Sequence, residues 1–500
     1  MGYERLWRGP ALRGDPLKSQ TAPFGSRLPN IILFLGDVMA MMASFYFARI
    51  SHALYYNLEV MSILRHWWGS EFSANLLLFP MMACIALSWF VHNGHYNRGK
   101  SFWDELGEIF EVLTFLALLN AAFAFSGRLP LSRLWLFSTW ALAFILVPLT
   151  RFAVHHLLII TGIWQRPYVL LGGGNNALEA SQAIQSEPIL GYRLSALLLP
   201  DDTDVNSNFS STLPRIHVGN DPLSVLKELG NPYLVVALES AQYDATKDIV
   251  ELLGLSYPNL TLAPPLRGLP LLGLETLHFF NHEIVMLRSR DNLSRLGPRF
   301  MKRSFDIVCA SLLTLIRSPF LLLITWLIRQ QDKGPAIFSH VRIGKDGKEF
   351  GCLKFRSMVI DADRRLIDYF TLHPDAKEEY DRTFKLKDDP RITAIGKFLR
   401  RTSLDELPQL FNVLRGEMSL VGPRPVTQLE IEKYYGNVAD TYKKVLPGIT
   451  GLWQTSGRSD TTYEQRLYFD SWYVKNWSLW YDIVILLRTV KVVFWREGAY

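Results

Sequence analysis

The chain has 500 residues, more than one hydrophobic core usually organises, so about three domains are expected. Hydrophobic residues make up 49%, aromatics 13% and charged residues 20%, which excludes a disordered or fibrous protein. The net charge of +6 is too small over this length to mark a nucleic-acid binder, and it suits a membrane surface or a phosphorylated substrate. Cys84, Cys309 and Cys352 stand far apart, with neither metal-ligand nor disulfide spacing, which suits a reducing compartment.

The first thirty residues are polar and basic without an apolar core, so no cleavable signal peptide is expected. Four apolar runs come next: Ile31–Ile50, Ala74–Val91, Leu106–Phe125 and Leu134–Thr150. Each approaches the roughly 20 residues needed to cross a bilayer. The fourth can continue past Arg151 to Ile160 and project into water. Asp37, Glu108 and Glu111 within these runs are expected at helix ends or against neighbouring helices rather than in an intramembrane reaction. Arg5, Arg8, Arg13, Lys18 and Arg27 precede the first run and the loop after it holds only Arg65, which places the N-terminus in the cytosol. Four crossings return the chain to that side.

From Arg166 to Glu283 the pattern is that of a soluble α/β domain. Pro167–Leu171, Ser195–Leu199 and Leu234–Leu238 are apolar strand candidates, Ala177–Gln185 is helical, and Asp201–Ser211 is a loop. Gly172-Gly173-Gly174-Asn175-Asn176-Ala177 fits G-x-G-x-x-A between a strand and a helix, with Asp201 and Asp202 further on. Gly172 and Gly174 could cradle a nucleotide phosphate, or could simply make a tight turn in a Rossmann-like domain. Tyr243-x-x-x-Lys247 matches a spacing used by some reductases and epimerases, but falls too soon after the glycines.

Ser304–Ile328 is long enough to span, yet Arg317-Ser318-Pro319 interrupts it and both flanks are basic: Lys302 and Arg303 before, Arg329 and Lys333 after. Charge bias then assigns both ends to the cytosol, so the helix enters one leaflet, turns at Ser318-Pro319 and returns. A fifth crossing with a proline kink fits the hydropathy equally well. The tail Trp472–Trp495 mixes Trp, Tyr and Lys at helical spacing, as in a helix lying among headgroups or an ordinary packed one.

The chemistry concentrates in the last third. In Thr402–Leu410, Asp405 and Glu406 head an amphipathic helix. Ser403-x-x-Glu406 reads as a capping box, but Pro408 favours a register with Asp405 as N-cap, because the proline then falls in the first turn. A carboxylate there can attack phosphorus when cations cancel the repulsion, and Glu406 is a natural ligand for magnesium. Lys354-Phe355-Arg356, Asp389-Pro390-Arg391, Arg400, Gly422-Pro423-Arg424-Pro425 and Gly457-Arg458 supply basic groups. Those fixed by Pro and Gly turns suit bidentate binding of a diphosphate.

Lys354-Phe355-Arg356-Ser357-Met358, Thr402–Leu410, Gly422–Pro425 and Pro447–Gly451 occur in the same order as in bacterial polyprenyl-phosphate sugar-phosphate transferases, the large monotopic phosphoglycosyl transferases. The chain resembles that family at motif level from Arg299 to its end, and its long-form members over nearly the whole length. The resemblance implies a multidomain membrane α/β protein. Residues 1–30 form a cytosolic segment, 31–163 a four-helix transmembrane bundle and 164–285 a Rossmann-like domain. Residues 286–500 form a monotopic α/β catalytic domain, with a re-entrant helix at 304–328 and interfacial helices.

It further implies transfer of a sugar phosphate from a uridine-diphosphate sugar, galactose or glucose, to undecaprenyl phosphate, releasing UMP. The product starts O-antigen, capsule or exopolysaccharide synthesis at the cytosolic face of the bacterial inner membrane, among its lipids. Asp405 is then the nucleophile and Glu406 its partner, both at magnesium. Lys354, Arg400 and Arg424 bind phosphate or nucleotide, with Arg356, Arg391 and Arg458 in support. Arg317 departs from the apolar residue expected before the helix break; it can snorkel to headgroups or meet the lipid phosphate. A homodimer through the bundle or middle domain is compatible with this organisation. Two other readings stand beside it: a membrane-tethered NAD-dependent nucleotide-sugar epimerase or dehydratase, and a non-enzymatic assembly scaffold.

Overall fold

A computed structural model describes residues 28–495 except 58–72, 97–99, 127–131, 201–204, 220, 267, 270, 272–273, 279–284, 290–291, 294, 333, 374–376, 378–385, 387–388 and 457–461. The chain forms two compact units that meet in sequence between residues 267 and 268.

The first unit opens with α1 (Leu28–Tyr55), α2 (Ser73–His92), α3 (Phe102–Ser126) and α4 (Arg133–Ile160). Helices α1, α3 and α4, with a later one, are long and apolar enough to cross a membrane; the described apolar part of α2, Leu78–His92, is shorter. Gly36, Ala40, Ser44 and Ala48 recur every four residues on the buried face of α1. This stripe of small residues lets α4 approach closely, so that a Cβ on Gly36 would stand 3.3 Å from Val154.

One end of the bundle holds a buried ion network. Arg151 donates to Asp37 (Nε–Oδ1 2.9 Å, Nη2–Oδ2 2.6 Å) and to Glu105 (2.5 Å). Tyr96 donates to Asp37 (2.6 Å), and His95 bridges Arg151 and Glu108. A guanidinium can only donate, so His95 Nδ1 accepts and its Nε2 carries the proton toward Glu108. Asp37 thus faces a neighbouring helix as expected, whereas Glu108 meets His95 and Lys100 in the connection before α3 and Glu111 is exposed on that helix. Arg151 is buried inside the bundle, and α4 runs on past it to Ile160.

The same unit continues into β1 (Arg166–Leu171), α5 (Asn175–Gln185), β2 (Tyr192–Leu199), β3 (Arg215–His217), α6 (Pro222–Glu228), β4 (Tyr233–Val236), α7 (Lys247–Ser256) and β5 (Leu260–Leu262). The strands form one parallel sheet in the order β3-β2-β1-β4-β5. Side chains alternate across a strand, so Val169 and Leu171 join Leu226 of α6 and Leu253 of α7, whereas Tyr168 and Leu170 join Ala177 of α5 on the other face. Both faces are covered, which is why these strands read as continuous apolar runs.

The second unit begins with an antiparallel hairpin, β6 (Leu274–His278) and β7 (Val285–Ser289), which lies within the 164–285 segment and its edge but clusters with the C-terminal residues. Next is α8 (Leu296–Asp332), one continuous helix that is longer than the 304–328 stretch and contains Pro319. The proline leaves the Leu315 carbonyl without its i+4 donor, and Ser318 Oγ donates to that oxygen at 2.8 Å. Before the proline, Ala310 joins the core with Cys352 and Val413; after it, Leu321, Ile324 and Ile328 join Phe355 and Leu399. Between these contacts Leu315 and Ile316 are 72% and 73% exposed.

The chain then forms the antiparallel pair β8 (Ile337–Ile343) and β9 (Glu349–Phe355), α9 (Ala362–Leu372), α10 (Ala394–Arg401) and α11 (Gln409–Arg415). After these, β10 (Ser419–Val421) pairs parallel with β11 (Gly448–Thr450), and α12 (Tyr463–Lys475) and α13 (Leu479–Trp495) close the chain. The tail is therefore two helices. Tyr473, Val474, Trp477 and Ile485 sit in the core, so its inner face is packed, while Leu487 and Val490 remain exposed.

Candidate active site

Local sequence decides how Asp405 is presented. Ser403 takes a left-handed conformation (φ 55°) after α10, and Leu404–Glu406 forms a 3-10 turn closed by Leu407 N–H to Leu404 O. Helix α11 starts only at Gln409, with Pro408 just before it. Neither sequence register holds: the Ser403 side chain caps nothing, and Asp405 is not an N-cap. The reason lies in packing. Residues three apart eclipse in a 3-10 turn, so Leu404 and Leu407 both pack against the cluster that holds Phe355 and Leu399, and the intervening carboxylates face elsewhere.

Lys354, near the end of β9, donates to Glu406 Oε1 at 2.8 Å, and Arg424 Nη2 lies 4.0 Å from the same oxygen. Burial and the neighbouring Glu406 push the Asp405 carboxyl above its ordinary range, against the opposing pull of Lys354 and Arg400. Arg400 is oriented by Nε donating to Ser357 Oγ at 2.9 Å. Arg424 rides on a rigid turn: Gly422 N–H reaches Thr450 O at 2.9 Å and Gly448 N–H reaches Pro423 O at 2.8 Å. Its guanidinium lies 5.9 Å from the Trp453 ring centre. A narrow polar cleft joins Arg342, Lys354, Glu406, Gln409, Arg424 and Gln454.

Asp405, Arg400, Arg391 and Arg356 are not among the residues that line this cleft. Arg391 is bound bidentately to Asp389 (2.8 and 2.7 Å). Burial raises the Asp389 carboxyl, but these bonds outweigh it and hold the group below its ordinary range. The Arg356 guanidinium lies against Gly334. Arg458 lies outside the described residues.

Residues 297–496 match the model of the bacterial sugar transferase family. Over 423 residues the chain is 43% identical to an undecaprenyl-phosphate galactose phosphotransferase of Salmonella typhimurium, covering 84% of this chain and 87% of that one. It is 42% identical to a UDP-galactose-lipid carrier transferase of Erwinia amylovora, over 86% and 90% of the two chains. An exopolysaccharide production protein of Rhizobium meliloti is 50% identical over 199 residues, 40% of this chain and 88% of its own length. The chain belongs to the bacterial sugar transferase family.

This sugar transferase also uses residues that sequence reading missed. Lys302 and Arg303, noted in the sequence only as flanking charges, bond within the protein. Lys302 Nζ, buried, donates to Asp482 (2.7 Å) and to Val421 O (3.1 Å), next to the Arg424 turn. Arg303 donates to the carbonyls of Val413 and Leu414 at the end of α11, and Asp306 accepts from Leu420 N–H. The available signal was Lys302-Arg303-x-x-Asp306, which puts Lys302 and Asp306 on one face of an apolar helix.

The glycine turn of the first unit is shut by the chain itself. Gly172 (φ 130°) packs against Ala237 O, where a Cβ would collide. Gly174 precedes α5, whose Asn176 N–H donates to the Glu239 carboxylate at 2.7 Å. A carboxylate stands where a dinucleotide would place its phosphate, and it would repel one. Tyr243 packs into the sheet core, where burial raises its hydroxyl, the reverse of what a reductase tyrosine needs.

Proposed function

We propose that the protein transfers galactose 1-phosphate from UDP-galactose to undecaprenyl phosphate. The observation that carries this is the joint one of Asp405 and Glu406 gathered with Lys354, Arg400 and Arg424 in a chain similar over 84% and 86% of its length to two enzymes named for galactose. In the first step an Asp405 oxygen attacks the sugar-bearing phosphorus, the diphosphate P–O bond breaks, and UMP leaves with the electron pair. In the second, an oxygen of undecaprenyl phosphate attacks the same phosphorus. The bond to Asp405 breaks and the carboxylate returns. Lys354, Arg400 and Arg424 offset the charge that builds on the phosphoryl oxygens.

Magnesium fits the donor set. Two adjacent hard oxygen ligands suit an ion that completes its shell with water and phosphate. Asp405 and Glu406 would hold it, and it would supply charge neutralisation on the diphosphate.

Helix α8 is read as re-entrant, and the catalytic unit as lying on the cytosolic face of the inner membrane. Residues on both sides of Pro319 pack into the same unit, Ala310 in the cluster that holds Cys352, and Leu321, Ile324 and Ile328 in the one that holds Phe355, which supports a helix that does not carry its second half away from the first. Both ends then stay on the side where nucleotide sugars are made. The middle domain is read as Rossmann-like on its strand order, with the closed turn weighing against an NAD-dependent epimerase.

The test supplies labelled UDP-galactose or UDP-glucose, undecaprenyl phosphate and magnesium to the purified chain. We expect galactose label in the organic-extractable lipid. Altered nucleotide sugar with bound NAD, or no labelled lipid from either donor, would refute transfer. Label from UDP-glucose alone would refute galactose.

A further inference from the structure

We propose that Arg342 is a phosphate-binding residue of this site, gripping a phosphoryl oxygen of the donor or acceptor together with Arg424. This rests on the transfer reading above. Arg342 lies on β8 opposite Phe350, two positions beyond the His340–Cys352 pair and four beyond Phe338–Lys354. Side chains alternate across a strand, so Arg342, His340 and Lys354 share one face of the β8–β9 hairpin. Arg342 and Lys354 of that face line the cleft together with Arg424 and Gln454.

Within the cleft three cations, Arg342, Lys354 and Arg424, face a single carboxylate, Glu406, and that carboxylate is held by Lys354. The cleft is therefore short of negative charge. Arg342 is half-buried, and its one side-chain hydrogen bond among the described residues runs from Nη1 to Glu430 Oε2 at 3.2 Å. Nε and Nη2 are left to donate. Glu430 in turn accepts from Thr427 N–H (2.8 Å) and from the Thr427 hydroxyl (3.1 Å), and faces Arg466 at 3.6 Å. It fixes the direction of Arg342 by an ion pair, and shares its single charge between Arg342 and Arg466. Burial, joined by the charge of Arg424, pulls the Arg342 guanidinium below its ordinary pKa despite Glu430. An anion between the two arginines removes that repulsion. A guanidinium offering two adjacent donors matches two oxygens of one phosphoryl group.

The test uses the full chain and the variants Arg342→Gln and Arg342→Lys, with UDP-galactose and undecaprenyl phosphate varied separately. In Arg342→Gln we expect the KM for one substrate to rise about ten- to a hundredfold, the loss of a charge-assisted phosphate contact. The kcat should fall less, the thermal midpoint should hold, and Arg342→Lys should recover part of the loss. A rise confined to UDP-galactose assigns the contact to the diphosphate, and one confined to undecaprenyl phosphate assigns it to the acceptor. Both KM values unchanged, or a loss that tracks a lowered thermal midpoint in both variants, would overturn the proposal. Should the wild-type chain transfer nothing, the failure belongs to the transfer reading. Arg342 is then judged by calorimetric binding of UDP and of undecaprenyl phosphate, where equal affinity for both in wild type and Arg342→Gln refutes it.

Discussion

Asp405 can attack phosphorus only as a carboxylate, and its surroundings make that form harder to reach. Burial and Glu406 raise its carboxyl, while Lys354 and Arg400 oppose them. The rate of UMP release should therefore fall with decreasing pH through a midpoint above the ordinary aspartate value. Removing one opposing cation with Lys354→Met should move that limb higher still. A limb at or below the ordinary value, or one that moves down in the variant, would contradict this electrostatic account. Asp470 offers a separate check on stability. Its carboxyl is pushed up to about 6, chiefly by burial, with Arg466 and the Tyr435 hydroxyl pulling the other way. A folded pKa above the unfolded one favours folding while the group is protonated. That contribution is complete below about pH 4 and is lost as pH rises to about 6, a swing of about 3 kcal/mol. The thermal midpoint of the wild type relative to Asp470→Asn should fall over that window and stay level above it. A difference that grows with pH would reverse the assignment.

Among elements, α8 joins the membrane-length apolar run to the cleft. Lys302 reaches Asp482 and the Val421 carbonyl, one residue before Gly422 and the Arg424 turn. Lys302→Met leaves the buried Asp482 without its cation, and we expect a loss of about 3–5 kcal/mol in chemical denaturation. The double variant Lys302→Met/Asp482→Leu should recover part of it. Equal losses in the two would mean that the pair is not coupled. The sequence showed these basic residues but not their use, because a lysine beside an apolar run reads identically whether it meets headgroups or a buried aspartate. The β1, β2 and β4 strands were legible because burial on both faces writes an unbroken apolar run. The presentation of Asp405 was not legible: the choice between a capped helix and a 3-10 turn was made by Leu404 and Leu407 against the cluster that holds Phe355 and Leu399, contacts distant in sequence. The cations of the Lys354 and Arg424 motifs could be found, since Pro, Gly and strand patterns mark them locally, but Arg342 carried no such mark.

At the scale of the whole molecule, the chain forms two compact units, and the match to the bacterial sugar transferase family, residues 297–496, falls within the second. The Rhizobium meliloti relative aligns over 88% of its own length with 40% of this chain. Arg151 holds the bundle by pairing with Asp37 and Glu105. Arg151→Met strands both carboxylates and should cost the bundle about 3–5 kcal/mol, read as earlier proteolysis within residues 28–160, while the KM for UDP-galactose stays unchanged. A matching loss of donor affinity would show that the units are coupled. The central claim, a covalent phosphosugar on Asp405, is tested most directly by mass spectrometry of the full chain incubated with UDP-galactose and magnesium in the absence of lipid. We expect one hexose phosphate on the peptide carrying Asp405, an equivalent of UMP released, and neither in Asp405→Asn. Attachment to another residue, or transfer to lipid that continues in Asp405→Asn, would contradict it.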